Sequence, residues 1–166
     1  MDREPIEQAQ ALLELCRSKH RKIAVAESCT GGLLAATLTE IAGSSDVFER
    51  GFVTYSNEAK QAMLGVAPAT LEHHGAVSRE TAQAMAEGAL ARAPVDFAVS
   101  VTGIAGPSGA VPGKPVGLVH FAAAARSGRL LQHERRYGDI GRGQVRRACV
   151  LQALAMLREL AETEQA

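Results

Sequence analysis

The sequence predicts an α/β fold: a single three-layer α/β/α domain with a mixed sheet, spanning residues 1–166. Three observations lead there. Short apolar runs alternate with stretches of helical periodicity through the first two-thirds of the chain. Glycine-rich segments with turn chemistry separate them. Near the end, two apolar runs flank Arg126-Ser127-Gly128-Arg129, a hairpin signal, and a long helical pattern follows. At 166 residues the chain is long enough to bury one core of ordinary size.

The elements follow in order. Ile6, Leu12, Leu13, Leu15 and Cys16 recur at helical spacing, which predicts a helix over residues 5–19. Residues 22–26 read as a short buried strand, broken by Glu27-Ser28-Cys29-Thr30-Gly31-Gly32, with a helix over 33–41. Gly43-Ser44-Ser45-Asp46 is a turn by composition. Residues 52–55 make a second strand, and Ser56 caps a helix that runs through Leu64 and closes at Gly65. Ser78 caps a further helix through Ala84, Met85 and Leu90, stopped before Pro94. Residues 97–101 form a third strand. The segment 102–115 is a loop, and loops of that length in compact domains are usually functional. Strands over 116–124 and 130–137 complete the sheet, and residues 144–160 form the closing helix.

Composition narrows the classes of function. A hydrophobic fraction of 46% with 22% charged residues argues against disorder. Eighteen basic residues balance eighteen acidic ones, so net charge points to neither nucleic acid nor membrane. Cys16, Cys29 and Cys149 are scattered and odd in number, as reduced thiols would be. Residues 1–10 lack the apolar stretch of a signal peptide, and no apolar run approaches the roughly 20 residues that span a bilayer. The expectation is a soluble, cytoplasmic protein. His20, His73, His74, His120 and His133 fall in no ligand spacing, so no metal and no cofactor are expected. The sequence leaves a homo-oligomer, such as a dimer, open.

Four segments carry chemistry. In Ser28-Cys29-Thr30-Gly31-Gly32, a strand-to-helix turn offers unpaired N–H groups, hydroxyls and close backbone approach, which suits a phosphate. An ordinary capped turn is the equal alternative. In the segment 51–60, Asn57 and Lys60 share one face of a first helical turn. The positive end of that helix depresses a lysine pKa and makes Lys60 a candidate general base, with Ser45 or Tyr55 as the hydroxyl it activates. A solvated surface lysine is the commoner case. Thr102-Gly103-Ile104-Ala105-Gly106-Pro107 follows an apolar strand, where ligands of open α/β sheets collect. Gly141-Arg142-Gly143, with Arg146 and Arg147, sets arginine beside a helix start, again suited to phosphate. Cys29 is a rival nucleophile, since a thiol at a helix N-terminus is acidified, but no histidine partner is identifiable.

Taken together and in this order, these segments resemble the CinA C-terminal domain family, specifically its stand-alone nicotinamide mononucleotide amidohydrolases. The resemblance rests on Ala26-Glu27-Ser28-Cys29-Thr30-Gly31-Gly32, Ile41-Ala42-Gly43-Ser44-Ser45, Tyr55-Ser56-Asn57-Glu58-Ala59-Lys60, Thr102 to Pro107, Lys114-Pro115-Val116-Gly117, and Arg142 with Val145-Arg146. It implies hydrolysis of nicotinamide mononucleotide, a small nucleotide substrate, to nicotinic acid mononucleotide and ammonia by a metal-free serine–lysine mechanism. By that resemblance Ser45 is the nucleophile, Lys60 its base and Tyr55 a further catalytic residue. Ser28, Thr30, Gly31, Gly32, Asn57, Thr102, Gly103 and Arg142 would then bind substrate. Ser28 is the alternative nucleophile, because a sharp strand-to-helix turn also presents one. A non-catalytic nucleotide-binding module is the rival from another class.

Overall fold

The computed structural model describes residues 1–164. Its helices are α1 (Arg3–Ser18), α2 (Leu33–Thr39), α3 (Asn57–Leu64), α4 (Pro68–His74), α5 (Arg79–Arg92) and α6 (Arg142–Thr163). Its strands are β1 (Ile23–Glu27), β2 (Phe48–Val53), β3 (Phe97–Gly103), β4 (Leu118–Ala125) and β5 (Leu130–Arg136). The strands form one mixed sheet in the order β2-β1-β3-β4-β5. β1 runs parallel to both β2 and β3, while β3–β4 and β4–β5 are antiparallel.

Strand alternation sorts the core into two layers. Ile23 and Val25 of β1, with Phe97, Val99 and Val101 of β3, point toward Leu12 and Leu13 of α1, Leu34 and Leu38 of α2, and Cys149 and Leu154 of α6. The other face is built of small residues: Ala24, Ala26, Ala98, Ala122 and Ala124. α5 answers with Ala82, Ala86 and Ala89, so helix and sheet approach closely. The Ser100 hydroxyl donates to the Ala82 carbonyl at 2.6 Å across that contact. Gly88 extends the close packing to α3, because a Cβ there would lie 2.1 Å from the Leu64 carbonyl oxygen. The expected α/β/α architecture with a mixed sheet is the one observed.

Several boundaries shift for identifiable reasons. β2 begins at Phe48 rather than 52, since its half as an edge strand carries Glu49 and Arg50, charges that mask the strand pattern. β3 runs through Gly103, and β4 starts at Leu118, after the left-handed Gly117. α4, entered at Pro68, was not expected from periodicity. Among the described residues, no helix is long and apolar enough to cross a membrane.

What matters for function is where the parallel strands end. Glu27 pairs with Val53 on one side and Val101 on the other. The segments after β1, β2 and β3 therefore meet at one edge of the sheet, the usual position of ligand sites in open α/β folds.

Candidate active site

Lys60 is the centre of that edge. Ser56 caps α3 by accepting from the Ala59 N–H at 3.0 Å, and Gly65 ends the helix in the left-handed conformation, φ +67°. This short, well-bounded helix turns Lys60 inward, where it is only 1% exposed. Its Nζ donates to Ser28 Oγ at 2.9 Å and to the Thr54 carbonyl at 3.0 Å. No carboxylate among the described residues forms an ion pair with it. Burial disfavours the ammonium and holds the Lys60 pKa below the ordinary lysine value. The direction is the one expected, and its principal cause is desolvation by burial.

The expected pairing of Lys60 with Ser45 is not formed. Ser45 lies exposed in the short helical turn Ser44–Asp46, which leads into the start of β2. Lys60 meets the sheet beyond the end of β2. The six residues of β2 separate the two positions, about 20 Å at roughly 3.3 Å per residue. Arg17 fastens the Ser45 turn to α1, donating to the Gly43 carbonyl at 3.0 Å and to Asp46 at 3.2 Å. The hydroxyl beside the lysine belongs to Ser28.

The turn around Ser28 corrects a second expectation. The N–H groups at the start of α2 are not open to a phosphate, because the buried Glu27 carboxylate occupies them. Glu27 Oε1 accepts from Gly32 at 3.2 Å and Leu34 at 2.9 Å, and Oε2 accepts from Ala35 at 3.0 Å. A carboxylate from the chain itself thus takes the place expected for the ligand's anion. Gly31 and Gly32 serve the turn with φ of +54° and +102°, and neither lines the cleft. Thr30 is fully buried, its hydroxyl without a hydrogen-bond partner among the described residues.

A cleft of about 340 Å³ opens above the Ser28–Lys60 contact. Ser28, Cys29 and Lys60 form its floor, with Asn57, Tyr55, Thr102, Gly103 and Arg142 among its lining. Arg142, the first residue of α6, donates to the Gly106 carbonyl at 2.9 Å and to the Tyr55 hydroxyl at 2.8 Å. Tyr55 is 61% exposed and belongs to the rim, with Arg142 rather than Lys60 as its partner. Thr102 donates its hydroxyl to the Ala76 carbonyl at 2.8 Å, which ties β3 to the segment before α5. Gly103 has no room for a side chain, since a Cβ would meet Val119 at 2.7 Å. Cys29 makes a thiol contact with Cys149, and a hydrogen bond from Cys149 lowers its pKa. Lys60 nevertheless reaches Ser28, not the thiol.

The arrangement brings Ser28, Lys60, Asn57, Tyr55, Thr102, Gly103 and Arg142 together and leaves out Ser45, Thr30, Gly31 and Gly32. Glu27 acquires weight that sequence reasoning did not give it, and Arg146, read from the sequence as suited to phosphate, instead donates to the carbonyls of Cys29 and Thr30 and does not line the cleft. A carboxylate just before a glycine-rich helix start was the available signal for Glu27. Among the described residues, no three His, Cys, Asp or Glu side chains converge as metal ligands would.

Comparison with known proteins agrees with the motif series. The family model described as the CinA C-terminal domain matches residues 6–161. A CinA-like protein of Synechococcus sp. (strain RCC307) is 51% identical over 152 residues, covering 90% of this chain and 36% of its own length. A CinA-like protein of Chlorobium phaeovibrioides is 51% identical over 118 residues, 71% of this chain and 28% of its own. The chain thus spans about a third of the length of the curated relatives it matches. Among solved structures, the competence/damage inducible protein CihA from Agrobacterium tumefaciens superposes with a TM-score of 0.95 at 55% identity, covering 96% of this chain and 97% of its own. The competence damage-inducible protein A (ComA) from Klebsiella pneumoniae gives 0.92 at 36% identity, over 97% and 99%. With a family model matching nearly its whole length, this chain belongs to the CinA C-terminal domain family.

Proposed function

We propose that this chain is a nicotinamide-nucleotide amidohydrolase, converting nicotinamide mononucleotide to nicotinic acid mononucleotide and ammonia, with Ser28 as nucleophile and Lys60 as its base. The observation that carries the reading is the 2.9 Å contact between Lys60 Nζ and Ser28 Oγ, made by a buried lysine with no carboxylate partner. Burial shifts Lys60 toward the neutral amine relative to an exposed lysine, against a smaller opposing effect of the nearby Cys29, and the lone pair of that amine is what accepts the serine proton. Simple ligand binding requires no such pair.

The reaction follows from these positions. Ser28 Oγ gives its proton to Lys60 Nζ and attacks the carboxamide carbon, producing a tetrahedral oxyanion. Lys60 returns the proton to the amide nitrogen as the C–N bond breaks, and ammonia leaves an ester on Ser28. Water then repeats the sequence with Lys60 again as base, and the carboxylic acid departs. The amide of Cys29, next in the chain after the nucleophile, is positioned in sequence as an oxyanion donor. The Arg142 guanidinium at the mouth suits the substrate's phosphate, and Asn57 offers a polar contact on the same wall. No step calls on a cofactor.

The test is ammonia release from a panel of nicotinamide mononucleotide, nicotinamide riboside, nicotinamide, glutamine and asparagine. Turnover of the mononucleotide above all others supports the reading. Tight binding of the mononucleotide without ammonia release would make the chain a binding module, and preference for glutamine or asparagine would move it to another amide.

A further inference from the structure

The first two turns of α6 face the Ser28 turn with two arginines one helical turn apart, Arg142 and Arg146. Arg142 lines the cleft, whereas Arg146 lies behind it. Arg146 Nη2 donates to the Thr30 carbonyl at 2.8 Å, and Nε donates to the Cys29 carbonyl at 3.3 Å. It forms no ion pair among the described residues, while the adjacent Arg147 binds Asp2 and Glu4 at 2.6 and 2.8 Å. A half-buried guanidinium has therefore been committed to two main-chain oxygens of a single turn. On the other side of that turn, Glu27 binds the N–H groups of Gly32, Leu34 and Ala35.

We propose that Arg146 is a positioning residue that clamps the nucleophile turn, presetting Ser28 against Lys60 from the side opposite the substrate. The inference rests on Ser28 being the nucleophile. A planar guanidinium grips two carbonyls at once, which one ammonium does less well. In a trans peptide the N–H points opposite to its C=O, so holding the Cys29 and Thr30 carbonyls fixes the Cys29–Thr30 and Thr30–Gly31 peptide planes, which begin one residue after Ser28. Gly31 lies against the clamp, where a Cβ would stand in ordinary van der Waals contact with Arg146 Nη2 at 3.7 Å, and it is its φ of +54° that disfavours a side chain. With Arg142 holding the Gly106 loop and Arg146 the Ser28 turn, one helix sets the spacing between ligand contact and nucleophile. Small displacements of a reacting group have large effects on rate, and this is where such a clamp acts.

The experiment compares the parent with Arg146→Ala and Arg146→Lys, measuring kcat and KM for nicotinamide mononucleotide. It also measures the rate at which a fluorophosphonate labels Ser28, read by peptide mass. Loss of the two charge-assisted contacts should lower kcat by about tenfold to a hundredfold. KM should stay within about twofold, because Arg146 does not touch substrate. Labelling of Ser28 should slow in parallel, and low millimolar guanidinium should restore part of both rates to Arg146→Ala. A rise in KM alone, unchanged labelling, or a melting-point loss without guanidinium rescue would overturn the proposal. Should Arg146→Ala fail to fold, Arg146→Lys and Arg146→Gln carry the same comparison. If the parent does not hydrolyse the mononucleotide, the substrate reading fails, and the labelling rates still decide the role of Arg146.

Discussion

Removing the Glu27 carboxylate tests whether the chain itself fills the start of α2. Glu27→Ala deletes the acceptors of three N–H groups, those of Gly32, Leu34 and Ala35. Leu34 is fully buried, so its amide finds no water and costs about 1–3 kcal/mol. Gly32 and Ala35 are half-buried, where water replaces part of the lost bonds and each costs about 0.5–1 kcal/mol. Relief of the desolvated carboxylate offsets some of this, leaving a net loss of about 2–4 kcal/mol. For a domain of this size each kcal/mol lowers Tm by about 2–4 °C, so Glu27→Ala should melt roughly 4–16 °C below the parent. Glu27→Gln keeps one acceptor oxygen and should fall between. Thermal melts by circular dichroism, with urea unfolding as a check, measure the effect. An Ala variant melting within about 1 °C of the parent would refute the claim that these contacts hold the turn.

Four further outcomes follow from the contacts around the cleft. Because burial lowers the Lys60 pKa, the active amine accumulates as pH rises through a value below the ordinary 10.4 or so, and kcat/KM should climb there. Lys60→Met should lose that limb and about 10²–10⁴-fold in kcat, and a limb that persists in the variant would assign it to another group. Between the lowered folded value and the ordinary one, the unfolded chain binds more protons, so stability should rise with pH, with a slope that Lys60→Met flattens. Gly88→Ala drives a methyl to within 2.1 Å of the Leu64 carbonyl oxygen and should cost about 1–3 kcal/mol in urea unfolding. It should lower kcat as well, since α3 carries Lys60; parent-like unfolding and turnover would contradict the packing argument. If Arg142 binds the phosphate, nicotinamide riboside should have kcat/KM about tenfold to a hundredfold below its 5′-phosphate, and equal values would remove the arginine from recognition.

Local chemistry was legible in the sequence, and long-range register was not. Ser56 and Gly65 bracket α3 as expected because capping and left-handed closure depend on a few adjacent residues. The same holds for Ser78, which accepts from the Thr81 N–H at 3.1 Å. The convergence of the segments after β1 and β3 at one sheet edge also followed from the alternation of strands and helices. The partner of Lys60 was a different problem. Ser28 and Ser45 flank opposite ends of the parallel β1–β2 pair, and only the pairing of Ile23 with Phe48 and Glu27 with Val53 separates them. The packing of α3, which carries Lys60, against α5 runs through Gly88 and the Leu64 carbonyl, a contact far along the chain. The glycine-rich turn looked like an anion site because its N–H groups are unpaired in a sequence; in the fold, the neighbouring Glu27 bends back to occupy them. Tyr55 was read as a hydroxyl that the lysine could activate, yet it turns outward to Arg142.

The central claim is that Lys60 activates Ser28, and it is tested most directly by kcat for ammonia release from nicotinamide mononucleotide in Ser28→Ala and Ser45→Ala. The account predicts that Ser28→Ala loses at least about 10²–10⁴-fold, as much as Lys60→Met, and that the Ser28–Lys60 double variant is little worse than either. Ser45→Ala, altered on an exposed turn at the far edge of the sheet, should turn over like the parent. Near-normal turnover in Ser28→Ala together with a dead Ser45→Ala would contradict it.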